Sequence, residues 1–220
     1  MKLKKIASLM LAGIMAVSML AGCKSGTTTD DEKNPVVPVA SNAVEYAKNA
    51  LSADMKDNVN VVASTELDGW VKNIATDSSK LSADNIKVAN SKYAIDYNTG
   101  ADKTMSAALI KKLQEKGVVV SNDFDTMPNG TFSQSYGWMY AVSGKMDEKS
   151  AVEAAVKFVE DWAKTNCEET VKSGSDIYNC DYTAEISTLK VTNDSLTNES
   201  AWTVAIVITQ KLAKAANVEA

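Results

Sequence analysis

The chain has 220 residues, 45% of them hydrophobic, a formal charge of −5 and no histidine, and every one of its 23 basic residues is lysine. Without histidine, Ser-His-Asp and Cys-His catalysis are excluded, and the commonest general base and commonest zinc ligand are missing. Without arginine there is no bidentate grip on phosphate or carboxylate, and an acidic chain does not suit nucleic acid.

Lys2, Lys4 and Lys5 place positive charge on the first five residues, and Ile6–Leu20 then runs without a charge. A basic start, a short apolar run and small residues after it make an export signal. A permanent transmembrane helix needs roughly 20 apolar residues, more than this run supplies. Leu20, Ala21, Gly22 and Cys23 close the segment, with Lys24 after them. This stretch resembles the lipobox of bacterial lipoproteins. The resemblance implies cleavage before Cys23 and a diacylglyceryl group on its sulfur. Two acyl chains hold a protein stably at a bilayer where one holds it marginally. The expected location is the cell membrane, lipid-anchored on the extracytoplasmic face.

The first 22 residues carry three lysines and no acid, so the remainder has 20 lysines against 28 acids, a formal −8. That charge does not favour docking on anionic lipid, which leaves anchoring to the acyl chains. Residues 23–41 read as a lipidated N-terminus and flexible tether rich in Thr, Asp and Pro. Its ends would sit on the order of 25 Å apart as a coil. Residues 42–220 suit one globular domain.

Within that domain, Asn42 and Glu45 suggest a capping box opening one helix near 43–56. Val59–Ala63 is a short apolar run that suits a strand. Thr65 suits the cap of a second helix carrying Leu67, Trp70, Val71 and Ile74. Ile86–Ala89 and Tyr93–Tyr97 are strand-like. A helix over 104–116 ends at Gly117 as its C′ residue. Val118–Val120 suits a short buried strand, and 122–130 a loop. Residues 131–143 alternate strictly, with Tyr136, Trp138 and Tyr140 on one side and Ser, Gly, Met and Ala on the other. Asp147 suits the cap of an amphipathic helix containing Ala151, Val152, Val156, Val159 and Trp162. Two closing strands follow. In the first, apolar residues change parity between Ile186 and Leu189, which suggests a bulge. The expected class is α+β: an antiparallel sheet with helices mainly on one face and a C-terminal β-α-β-β unit.

Several groups of residues offer chemistry, and each also has a plain structural role. Tyr136, Trp138 and Tyr140 offer a stacking platform for sugar rings. Their bulk, and an opposite face too small to supply a core, make burial under the next helix the expectation. Asp123, Asp125 and Asn129 offer oxygen ligands on one loop, but EF-hand spacing is absent and a solvated acidic turn is expected; no metal and no cofactor is assigned. Ser187-Thr188-Leu189-Lys190 and Lys172-Ser173-Gly174 match penicillin-binding elements in form but in the wrong order and context. Glu66 with Asp68, Asp147 with Glu148, and Glu168 with Glu169 are carboxylate pairs suited to helix starts. With Cys23 assigned to lipid, Cys167 and Cys180 remain, and an even pair in an exported protein suggests one disulfide. Closing that loop would stabilise by about 3 kcal/mol. The functional expectation is a non-catalytic binding or accessory module at the cell envelope, leaning away from an enzyme. Its partner would be a wall component or a protein, not nucleic acid. The alternative is a carboxylate-dependent hydrolase of wall glycan.

Overall fold

The computed structural model describes residues 41–92, 101–127, 132–193 and 199–215. Cys23, the tether up to residue 40, Tyr93–Tyr97, Asn129 and Gly130 lie outside the described residues. The elements run α1 (Ala43–Ala50), α2 (Ala53–Asn58), β1 (Val59–Ala63), α3 (Thr65–Ala75), α4 (Ala83–Lys92) and α5 (Ala101–Glu115). They continue as β2 (Ser133–Ser143), α6 (Glu148–Asn166), β3 (Thr170–Ser173), β4 (Asp176–Asn193) and β5 (Glu199–Lys214).

The strands form one sheet in the order β1-β4-β5-β2, with β3 also paired to β4. Every pairing is antiparallel except β1 with β4. This is the expected α+β class with a mainly antiparallel sheet. The short β3 stands between α6 and β4, so the C-terminal unit carries one strand more than expected.

Helices cover both faces of the sheet, where one face was expected to carry most of them. On the front, α1, α2 and α6 bury Trp138, Tyr140, Tyr182, Ile186, Ile206 and Ile208. On the back, α3, α4 and α5 bury Met139, Ala141, Ala201, Ala205 and Val207. The small back-face residues do form a core, because the helices supply the bulk: Val71, Ile74, Met105, Leu109 and Leu113 fill the space above them. Gly137 sets the approach of α5. A Cβ there would lie 3.1 Å from Leu109 Cδ2 and 3.3 Å from Val207 Cγ2.

No bulge interrupts β4. Its register with β5 runs unbroken from Tyr178↔Lys214 to Asn193↔Glu199. The parity change has another cause: the two helical layers are staggered along the strand. Near its start β4 is buried on the front, through Tyr182, Ala184 and Ile186. Near its end Leu189 and Val191 pack into the back core instead.

Two helix expectations and one strand expectation are corrected. The expected 43–56 helix breaks at Leu51, whose ψ of 143° is extended. The Ser52 N–H then donates to Glu160 Oε1 at 2.8 Å, tying the start of α2 to α6. Asn42 makes no side-chain cap, and the Ala43 N–H donates to Ser41 Oγ instead. Ile86–Ala89 is helical because Ser82 and Asn85 exchange bonds across the first turn, Asn85 N–H to Ser82 Oγ at 3.2 Å and Ser82 N–H to Asn85 Oδ1 at 2.9 Å.

The cap of α3 is Ser64, which accepts from the Leu67 N–H at 3.3 Å, and Thr65, expected as the cap, is its first helical residue. Two other local signals hold. Gly117, at φ +74°, ends α5 as expected: its N–H reaches Gln114 O and the Val118 N–H reaches Leu113 O. That pair of bonds caps the last carbonyls of the helix. Asp147 caps α6 by accepting from the Ser150 N–H at 2.7 Å.

The outer edge of β2 is closed by side chains. Ser106 Oγ on α5 accepts from the Met139 N–H at 2.9 Å and donates to its carbonyl at 3.2 Å. Asn90 on α4 accepts from the Ser143 hydroxyl and Gly144 N–H, and donates to Ser200 O at 3.0 Å. Near the strand's start, Ser135 exchanges backbone bonds with Val119 and Ser121, so Val118–Val120 forms a single bridge rather than a full strand. Unpaired edge groups are an aggregation hazard, and this edge offers few.

Candidate functional site

The aromatic side of β2 is not an open platform. Trp138 and Tyr140 are 4% and 1% exposed, which decides against a stacking surface for sugars. Trp162 of α6 lies edge-on to Trp138, with centroids 4.7 Å apart. It also stacks on the half-buried Tyr136 at 6.3 Å. Phe124, fully buried, meets Trp162 edge-on at 5.0 Å and stacks on Tyr182 at 6.2 Å. Trp138 and Tyr140 are core, as expected from their bulk, and Tyr136 packs partly buried against them.

The loop that carries Phe124 is the one with Asp123 and Asp125. Asp123 Oδ1 accepts from the Asp125 N–H at 3.0 Å, so that carboxylate organises a turn. Among the described residues no group of three or more acidic, cysteine or histidine side chains is placed to hold a metal ion.

Several of the remaining candidate residues have structural partners. Ser187 is buried on the back face and donates to Asp68 Oδ1 at 2.5 Å, while Lys190 lies over the Trp202 ring on the front, 5.3 Å from its centroid. The two ends of that Ser-x-x-Lys motif point to opposite sides of the sheet. Glu66 pairs with Lys116. Glu148 Oε1 accepts from Ser41 and Thr188 hydroxyls at 2.6 and 2.8 Å. Glu168 and Glu169 present backbone carbonyls to Tyr182 OH and the Cys180 N–H.

Beneath Phe124 lies a buried polar cluster that the sequence did not signal. Gln210, fully buried, donates to Phe124 O and Tyr182 OH, each at 3.0 Å, and to Cys180 Sγ at 3.6 Å. Its Oε1 accepts from Gln134 Nε2 at 2.7 Å. Cys167 and Cys180 are free thiols, the first buried and the second half-buried. Burial pushes the Cys167 thiol up to about 12, helped by the nearby charges of Cys180 and Asp125. Burial also raises Cys180, against bonds from Tyr182 and Gln210 that favour its thiolate.

An apolar cavity of about 30 Å³ lies under α1 and α2, lined by Leu51, Met55, Val159, Ile186 and Ile206 among others. Ligand pockets run to roughly 300–1,000 Å³, so this is a packing void.

The stagger of the helices leaves one broad surface open. Below the reach of α3 and α5, the back of the sheet exposes cross-strand rows. Lys172 stands opposite Ile177, Thr170 opposite Asn179, and Asp181 opposite Lys211, which itself faces Ser133. Ile177 is 45% exposed, an apolar centre among hydrogen-bonding side chains. Phe132, 55% exposed, stands at the same end of the sheet. Ser41, where the described chain begins, is at the other end of β4, bonded to Thr188 at 3.0 Å. Eleven residues of strand separate Ile177 from Thr188, roughly 36 Å.

No protein-family model, curated protein or solved structure matches the chain. Among the described residues no helix is long and apolar enough to cross a membrane.

Proposed function

We propose that this chain is an exported lipoprotein, held at the extracytoplasmic face of the cell membrane by diacylglyceryl-Cys23, whose domain is a non-catalytic binding or accessory module. The lipobox residues Leu20–Cys23 support the anchor. The observation that carries the binding role is the open back of the sheet, with Ile177, Asp181 and Lys211 at the end of β4 remote from Ser41. The surface fits a protein partner: an exposed apolar side chain, both signs of charge and many hydroxyl and amide groups are the composition of a protein–protein contact. Sugar stacking would use Trp138 and Tyr140, which are buried.

Two measurements test this. Cells fed a labelled fatty acid should label the wild-type chain and not Cys23→Ser, which should be shed from the membrane. An unlabelled, uncleaved cytosolic protein ends the proposal. A photo-crosslinker at Asn179 should then give a discrete adduct with one envelope protein, lost on Ile177→Glu, while the same probe at exposed Lys157 gives none. Equal, diffuse adducts from both positions would remove the binding role and leave the anchor standing.

A further inference from the structure

Cys167 and Cys180 lie where two stretches of chain run side by side. Cys167 ends α6, with its N–H on Ala163 O at 2.8 Å. Two residues on, Glu169 O accepts from the Cys180 N–H at 2.9 Å, continuing the β3–β4 register by one step past Thr170↔Asn179. Between these contacts, Glu168 O accepts from Tyr182 OH at 2.9 Å. The segment 167–169 is therefore laid along 180–182, and both sulfurs face the front core. They differ in access: Cys167 is 4% exposed, whereas Cys180 is half-buried at the margin between that core and the small cluster of Val171, Tyr178 and Leu212.

We propose that Cys167 and Cys180 are a disulfide site closed by thiol–disulfide exchange that begins at Cys180 and is completed by Cys167. The oxidant is an exchangeable disulfide of the compartment outside the membrane. The Cys180 thiolate attacks one sulfur of that disulfide, forms a mixed disulfide and expels one thiolate. The Cys167 thiol then loses its proton, its sulfur attacks Cys180 Sγ, and the second thiolate leaves. Two protein thiols are oxidised, one disulfide is reduced to two thiols, and the expelled thiolates take up the two protons. The order follows from access and from the thiolate fraction, since the thiolate is the attacking species. The Gln210 amide, 3.6 Å from Cys180 Sγ, favours the charged form there. Deeper burial disfavours it at Cys167.

The test uses the full chain carrying Cys23→Ser, reduced and then exposed to glutathione disulfide. The parent should end two hydrogens lighter, free of glutathione, with residues 167 and 180 in one linked peptide. Cys167→Ser should stop at a stable glutathione adduct on Cys180, and Cys167→Ala should do the same if serine disturbs the core. Cys180→Ser should react at Cys167 at least roughly tenfold more slowly while folded, and readily in urea. Two stable adducts on the parent would overturn the site. An adduct on Cys167 in Cys180→Ser as fast as that on Cys180 in Cys167→Ser would overturn the order.

Discussion

Gln134 donates to Gln210 across β2 and β5 at 2.7 Å, and both amides are sealed from solvent. Through Gln210 the bond extends to Phe124 O and Tyr182 OH, and Gln134 also reaches Thr126 O at 3.2 Å. The pair thus ties the loop over the aromatic core to three strands. Gln210→Leu strands Phe124 O and takes one bond each from Tyr182 OH and Gln134 Nε2, which keep Glu168 O and Thr126 O. A buried group left unmet costs about 1–3 kcal/mol and a lost bond about 1 kcal/mol, so a loss of roughly 2–4 kcal/mol is expected in urea unfolding. The double variant with Gln134→Leu should cost less than the two single losses added together, because an apolar pair strands fewer groups.

Ser106 gives the edge of β2 a partner at Met139. Ser106→Ala is expected to cost about 1–3 kcal/mol by leaving a buried N–H unmet. Hydrogen exchange at the Met139 amide should rise with it. An unchanged exchange rate would show that the edge is protected by something else.

Trp138 separates core from platform. If its ring is packing, Trp138→Ala should cost about 3–5 kcal/mol. Intact-protein fluorescence from this residue should resist aqueous quenchers. A variant of unchanged stability that loses affinity for wall polysaccharide would restore the stacking role.

The open back of the sheet should tolerate change. Asp181→Ala and Asn179→Ala are expected to alter stability by no more than about 0.5 kcal/mol. Ile186, at the front of the same strand and 3% exposed, should not tolerate Asp. Equal losses at both places would mean that the back surface is covered.

Stability of the reduced chain should depend on alkaline pH. Cys167 titrates at about 9.0 when unconstrained and at about 12 in the fold. The folded state holds this proton more tightly, so the contribution is complete below pH 9.0 and is lost as pH rises towards 12. Burial pushes Tyr182 in the same direction. Urea midpoints of the reduced chain should fall progressively above pH 9.0, less steeply in Cys167→Ala. Oxidation should remove the Cys167 part of the slope.

Much of this architecture was legible because its causes are local. The Asp147 cap, the Gly117 ending and the alternation of β5 each depend on residues a few places apart. The parity change at Ile186 and Leu189 was legible as a pattern but not as a cause. Its meaning depends on which helix lies over which half of β4, and that is settled by packing between distant segments. The same holds for the Ser-Gly-Ala side of β2: small residues indicate no core until Leu109 is seen to fill the space above Gly137. Gln134 and Gln210 carry no sequence mark at all, since a glutamine bound for the interior looks like one bound for the surface. The open back of the sheet carries no sequence signal either, because exposed Thr, Asn and Lys are what any solvated strand presents.

The 18-residue β4 is long for a strand. Because the helical layers are staggered, its exposed residues lie on opposite faces: Asp181 on the back near one end and Lys190 on the front near the other. A label carried by Lys190 and one carried by Lys211 would therefore sit on opposite sides of the sheet, so that modifying one residue leaves the other accessible.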